Sequence, residues 1–416
     1  MIQKIKQKLY PLLRISQKYT GTDNVYIFKQ GGVLYFGNMI AALVSFVSAI
    51  AFARLLSKTT YGEYKYILSL LNLAGIATLR HLNTVITQAV AQKYEGIVKK
   101  GFLAKIKWGI IGSLVCFTLA GYFYFQGNLA FFFCMLLSGF LLPLFEACDV
   151  YIYYLQGKKL FTKLVLYQSL SIIISAVAII FTISITRNLV ILFAVFLTVN
   201  TLLKSIFLLV TLKKHPANNK SDPKFLKFGK ELSIFGIISM AARELDRVLL
   251  FNFIDAAGVA IYSFAVMPEI QMTEILKNLR TIALPKFATR TREELKKTLL
   301  TKVLKLFLVV LLGVILYALI APTIFQIFFP KYMDSVVYSQ VFFLSLLTFP
   351  ATILELAFQA GVMKKELYSL KIFSTTSSII LLFILTPIFG IWGVIAARLI
   401  TSFAKAGLTL MFFKKM

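Results

Sequence analysis

Uncharged apolar stretches of about twenty residues recur from one end of this sequence to the other, and that repetition limits the chain to very few folds. In hydrocarbon every peptide N–H and C=O must be satisfied internally, so such stretches cross as helices or, when they alternate, as strands of a closed barrel. No two-residue alternation is present, which leaves helices. Of the 416 residues 59% are hydrophobic and the mean hydropathy is +0.81, values that exclude an ordinary soluble domain.

We expect an all-α membrane protein with about 12 transmembrane helices. The predicted spans are Val33–Leu56, Tyr64–Gln88, Trp108–Phe125, Leu129–Leu155, Leu164–Ile185, Leu189–Leu212, Leu232–Phe253, Ala257–Leu279, Val303–Phe325, Val336–Gln359, Leu370–Ile388 and Ile391–Phe413. Residues 1–31 are basic and polar without the short apolar core and cleavage site of a removable leader, so the first span should itself direct insertion. Ile2, Ile5, Leu9 and Leu12, with lysines between them, read either as a surface-lying helix broken at Pro11 or as a topology anchor. Cys116, Cys134 and Cys148 fall inside apolar stretches, far in sequence from His81 and His215. They are expected to pack rather than to bridge, with no metal and no cofactor.

The formal charge of +28 invites a nucleic-acid reading. With the N-terminus inside, the inner segments hold 35 of the 45 Lys and Arg residues and the outer segments only Arg54, Lys58, Lys65, Arg187 and Lys331. That asymmetry is the positive-inside pattern, with both termini cytoplasmic, and leaves no basic soluble domain for nucleic acid. The seventh span is the least apolar, carrying Arg243, Glu244, Asp246 and Arg247. Removing it would put Lys286, Arg290, Arg292, Lys296, Lys297 and Lys302 outside, so loop charge requires a span that hydropathy alone would reject.

The chain also repeats itself. Thr84-Val85-Ile86 before Ala91 resembles Thr281-Ile282-Ala283 before Ala288; Gln156-Gly157-Lys158-Lys159 resembles Gln359-Ala360-Gly361 with Lys364-Lys365; Lys204 with Lys213-Lys214 resembles Lys405 with Lys414-Lys415. Two six-helix lobes are expected, related by a pseudo-two-fold along the membrane normal because six is even. The division is a cytoplasmic segment at 1–32, a first lobe at 33–212, a cytoplasmic linker at 213–231 and a second lobe at 232–416.

Asn38 to Gly62, ending Phe52-Ala53-Arg54-Leu55-Leu56 and followed by Tyr61-Gly62-Glu63-Tyr64, resembles the opening of the polysaccharide-exporter flippases, which move lipid-linked O-antigen or capsule repeat units. Asp246-Arg247 with Gly258 and Tyr262-Ser263 is similar to that family's second-lobe opening, and Gly390-Ile391-Trp392-Gly393 to its last helix; Ala260 departs from the glycine often found there. These proteins belong to the multidrug/oligosaccharidyl-lipid/polysaccharide exporter superfamily. The resemblance implies translocation of undecaprenyl-diphosphate-linked oligosaccharide to the outer leaflet of the cell inner membrane by rocking lobes. It implies coupling to a cation such as H+ or Na+, and, as partners, membrane lipids and other polysaccharide-assembly membrane proteins. A count of twelve rather than fourteen helices disfavours the related peptidoglycan-precursor flippases.

Carrying a diphosphate through about 30 Å of hydrocarbon calls for a hydrated cationic cavity, for which Arg is suited by its bidentate, permanently charged fork. Arg243 and Arg247 lie four apart on one face of the seventh span with Asp246 beside them, while Glu244 points about 100° away. They read either as a diphosphate site, with Asp246 or Glu244 orienting or carrying a coupling cation, or as an ion-pair network within the lobe. Lys204 and Lys405, at matching places in the sixth and twelfth spans, can line the cavity or snorkel. Arg398, one face with Lys405, is a candidate later contact on the path. Arg80, with His81 and Asn83, is either an entry contact for phosphate or a topology anchor. Glu269 after Pro268 is the best single carboxylate for ion coupling, whereas Glu146, Asp149 and Glu355 suit inter-helix pairing.

Two other classes compete. A cation-coupled drug or metabolite antiporter would want a cavity dominated by acids, with Arg243 and Arg247 paired away from it. A membrane-embedded glycosyltransferase or polymerase would want a large outer loop and paired exposed carboxylates; neither is present in the sequence, so the chain is not expected to be an enzyme.

Overall fold

The computed structural model describes residues 24–288, 292–360 and 363–415. The stretch from Ile2 to Leu12 and the position of Arg290 lie outside the described residues. Among the described residues the chain is helical without strands. The α-helices are α1 (Asn24–Leu55), α2 (Lys58–Gly75), α3 (Leu82–Ala91), α4 (Ile97–Phe125), α5 (Leu129–Ala147), α6 (Val150–Gly157), α7 (Phe161–Ile185), α8 (Leu189–Lys214), α9 (Pro223–Phe253), α10 (Ala256–Ala288), α11 (Arg292–Phe328), α12 (Ser335–Phe343), α13 (Phe349–Ala360), α14 (Lys364–Phe389) and α15 (Ile391–Lys415).

Among the described residues nine segments are long and apolar enough to cross a membrane by themselves: those of α1, α4, α5–α6, α7, α8, α11, α12–α13, α14 and α15. The remaining three predicted spans correspond to α2–α3, α9 and α10. They fall short because a break interrupts the first and polar or charged groups dilute the others, as befits helices that face the bundle interior rather than lipid. Local signals explain the ends. Asn128 accepts from the Phe131 N–H at 3.0 Å and Asn188 from the Val190 N–H at 2.9 Å, capping α5 and α8. Pro223 follows the cap residue Asp222 at the start of α9.

Helices α1–α8 form one lobe and α9–α15 the other. Within the first, α4 packs along α5 and α1 along α7; within the second, α14 pairs with α15 and α10 with α12 and α13. The lobes meet where α2 packs on α9 and α10 and where α3 packs on α9. Apolar side chains such as Phe235 (80% exposed) and Leu319 (72%) point outward, the arrangement expected of a lipid-facing surface.

One end of the bundle gathers the basic connections. There the Gly96 N–H donates to the Lys220 carbonyl at 2.9 Å, Lys100 to Ser221 at 2.6 Å, and Lys163 Nζ lies 2.7 Å from His215 Nε2. At the opposite end the lobes are shut against each other. Lys58 pairs with Asp334 at 2.5 Å, Arg54 donates to the Ile327 carbonyl at 2.9 Å, and Lys331 to the Arg54 carbonyl at 2.7 Å. Beneath them the tilted rings of Tyr61, Phe264 and Tyr332 cluster, the Phe264 centroid 5.0 Å from Tyr61 and 4.0 Å from Tyr332, inside a hydrophobic core continuous across both lobes. Gly62 permits the approach, since a Cβ there would overlap the Ala256 carbonyl.

Three expected spans are not single helices. The second breaks after Gly75 into a 3-10 turn at Ile76–Thr78 and a left-handed Leu79 (φ 57°) before α3 begins. A left-handed non-glycine residue costs about 1–3 kcal/mol, so the surroundings must hold it. They do: the break turns Arg80 back onto Glu146, across a gap kept open by Gly75, where a Cβ would collide with both side chains. The fourth span divides at Cys148–Asp149 and the tenth through a 3-10 segment at Leu344–Thr348. Period counting sees only apolar runs and cannot register turns whose polar groups are satisfied inside the bundle.

Candidate functional site

Between the lobes lies a cavity of about 390 Å³. Its first-lobe wall comes from α1, α2, α7 and α8, its second-lobe wall from α9 and α10. The charged lining residues are Lys65 and Arg247, one from each lobe, and no carboxylate is among the lining residues. Polar lining comes from Ser45, Ser48, Ser175, Asn200, Ser263 and Gln271, and aromatic lining from Phe52, Tyr61 and Phe196. Asn200 donates to Ser175 Oγ at 2.7 Å and to the Phe196 carbonyl at 2.8 Å, fixing that wall.

Arg247 is only loosely held. Its Nη1 sits 3.6 Å from Glu244 Oε2, beyond hydrogen-bond range. Its Nε, Glu244 Oε2 and the buried Ser263 Oγ find no hydrogen-bond partner among the described residues. A buried guanidinium donor left open toward a cavity is costly unless something completes it, which marks it as a binding group rather than a packing group. Arg243 is exposed and, among the described residues, hydrogen-bonds only to the Ser239 carbonyl, at 3.5 Å.

The other sequence candidates are committed elsewhere. Asp246 was expected beside Arg243 and Arg247, but its carboxylate faces the lobe interior. It takes a fork from Arg398 (2.9 and 2.6 Å) and the Tyr262 hydroxyl at 2.6 Å, while Arg398 also reaches the Ala242 carbonyl and Ser378. Both oxygens are thus occupied, and Arg398 ties α9 to α15 instead of lining the cavity. Arg80 forks onto Glu146 at 2.5 and 3.2 Å and reaches Asn72. Lys204 pairs with Asp149 at 3.0 Å, over the Phe145 ring, and Lys405 with Glu355 at 2.8 Å. The two lysines stand in matching places, each bound to an acid of its own lobe and neither at the cavity. Glu269 accepts from Thr273 at 2.7 Å in an unbroken α10; the helix continues through Pro268.

Lys65 was read as an outer-segment charge, because α2 was expected to begin at Tyr64. The helix begins at Lys58, capped by Ser57, whose Oγ accepts from the Thr60 N–H at 3.0 Å, so Lys65 sits two turns inside. The Ser57-Lys58-Thr59-Thr60 cap was the signal available in the sequence.

The two-lobed, all-helical bundle of the described residues is a membrane transporter fold. Solved structures share it: a MATE transporter in the straight conformation (TM-score 0.65, 13% identity, 94% of this chain and 95% of that one) and the lipid II flippase MurJ in an inward closed conformation (0.63, 14%, 93% and 87%). A third is a MOP superfamily transporter from Pyrococcus furiosus (0.57, 14%, 94% of each). Among curated proteins no sequence match is found. The chain belongs to the polysaccharide biosynthesis protein family, whose model matches residues 27–276.

Proposed function

We propose that the protein flips polyprenyl-diphosphate-linked oligosaccharide across the inner membrane, from the cytoplasmic to the outer leaflet, for surface polysaccharide such as O-antigen. The observation that carries the reading is the lining of the inter-lobe cavity: Lys65 and Arg247 on opposite lobes, hydroxyl and amide groups between them, and no carboxylate among the lining residues. A diphosphate held between the two would bridge the lobes, while the neutral wall of Ser175, Asn200 and Phe196 suits a sugar. Loop charge favours placing the basic end and both termini in the cytoplasm. The closed end then faces outward, and the lobes at 33–212 and 232–416 would rock about the cavity. Similarity to MurJ, a lipid II flippase, supports the same substrate chemistry. A drug or metabolite antiporter fits the cavity less well: Asp246, Glu146, Asp149 and Glu355 are paired with cations inside a lobe, and Glu244 and Glu269, which are less tightly held, do not line the cavity.

The test is export in a strain lacking its own flippase, together with proteoliposomes carrying a fluorescent lipid-linked oligosaccharide. Protection of the label from an outside quencher should require Lys65 and Arg247. Failure to move any polyprenyl-diphosphate glycan by a well-inserted protein would sink the reading.

A further inference from the structure

We propose that Lys105 is a proton-binding site that controls the contact between the lobes at the basic end. Lys105 lies in α4, is fully buried at 0% exposure, and donates to Asn83 Oδ1 at 3.0 Å. No carboxylate oxygen of the described residues lies within the 4.0 Å of an ion pair. Its surroundings already balance without it: Arg80 is held by Glu146 and Lys204 by Asp149, so three cations share two acids and Lys105 is the surplus charge. A buried ammonium satisfied only by an amide oxygen is the lysine that exchanges its proton most readily, and losing it leaves the cluster electrically balanced.

The position of Asn83 turns that proton into a mechanical signal. Asn83 is a buried polar residue of α3, the short helix that follows the break. α3 is also a main element through which the first lobe touches α9, beside the 3-10 turn before it and α4. Leu82 packs against Gly229, and the His81 ring fills the space beside Gly236, where a Cβ would displace it. A protonated Lys105 holds Asn83, and with it α3, in the observed contact with α9. A neutral amine loses the charge that makes this bond strong and releases α3 to move with the opening of the basic end. The other charged or titratable groups facing this region are Arg80 before α3, Glu146 in α5, Asp149, Cys148 and Tyr153 around the start of α6, Lys204 in α8, Glu244 and Arg243 in α9, and Lys371 in α14 beside His81. His81 is the competing sensor, since it stands at the α3–α9 contact itself. The inference rests on the two-lobe transport reading for its purpose, but its physical content does not need substrate.

The experiment uses the full chain in nanodiscs without substrate, its three cysteines replaced by alanine, with spin labels on exposed Gln88 of α3 and exposed Lys227 of α9. The inter-label distance distribution is followed against pH. We expect one pH-dependent shift in the parent, absent in Lys105→Met and in the permanently charged Lys105→Arg, and intact in His81→Gln. A parent that shows no shift overturns the proposal. So does a shift that persists in Lys105→Met or disappears in His81→Gln. If Lys105→Met fails to insert, Lys105→Arg decides, because a retained midpoint there also overturns it. Loss of glycan flipping with the pH response intact would count against the transport reading alone.

Discussion

At the scale of single residues, the two kinds of half-buried arginine in α9's neighbourhood should behave oppositely. Arg247 is under-bonded in a cavity, so Arg247→Ala should insert normally yet weaken substrate binding. A charge-assisted hydrogen bond of about 1.5–3 kcal/mol corresponds to roughly 10- to 150-fold, read as the shift in half-saturating lipid-linked glycan in the quenching assay. Lys65→Ala should do the same, and Arg247→Lys should recover only part, because a single ammonium does not reproduce the fork. Arg398 is fully bonded to Asp246, so Arg398→Met leaves a carboxylate buried without its counter-charge, costing about 3–5 kcal/mol. The double variant Arg398→Met with Asp246→Leu should restore much of the melting temperature in detergent. Equal effects of the single and double changes would show that the pair does not carry that energy. Much of this was legible beforehand: the sequence places Arg243, Arg247 and Asp246 on one segment and marks it as unusual. It could not show which face each would take, because acid and base 152 residues apart, Asp246 and Arg398, meet only through packing of α9 on α15. Lys65 was read as a loop charge for the same reason. A charge near a predicted helix end looks like a topology anchor until the helix start or the neighbouring lobe is seen.

Among the elements, the connection between α8 and α9 is less free than its polar, Pro-containing sequence suggests. Glu95 anchors it, accepting from the Asn218 N–H at 3.1 Å and pairing with Lys158 at 2.5 Å, while Tyr154 donates to the His215 carbonyl at 3.0 Å. Burial pushes the Glu95 carboxyl up, but the bonds from Lys158, Asn218 and Tyr154 outweigh it and hold the group below the usual carboxylate range. The folded value is therefore depressed. The anchoring is complete above the unfolded value of about 4.3 and is lost as pH falls through the folded one. Protection of residues 215–222 against hydrogen exchange, taken relative to the intrinsic rate at each pH, should fall at acid pH, and Glu95→Gln should show the lower protection already at neutral pH; unchanged protection in the variant would contradict the anchor. His215 is the complement: burial and the nearby Lys163 charge lower its affinity for a proton, which keeps the ring neutral and able to accept from that lysine. The broken second span belongs to this scale too. Its apolar periodicity predicted one helix, and the tertiary demand for Arg80 to reach Glu146 overrode it.

For the whole molecule, the closed end predicts a lock. Lys58 and Asp334 join the lobes on the side opposite the basic connections. Replacing both by cysteine (Lys58→Cys with Asp334→Cys) and oxidising should abolish flipping, and reductant should restore it. Continued transport by the cross-linked protein would mean that the lobes do not separate there. The two-lobe plan itself was readable from loop charge and from the paired lysines, because Lys204 and Lys405 answer to the same insertion rule in each half. The closed state was not readable, since it depends on aromatic contacts such as Tyr61 with Phe264 that carry no sequence pattern. The volume of the central cavity has one further consequence. At about 390 Å³, and at roughly 30 Å³ for each water, it holds on the order of a dozen molecules. Anything that enters a chamber that small displaces most of this water, so it meets Lys65 and Arg247 with few solvent molecules left between.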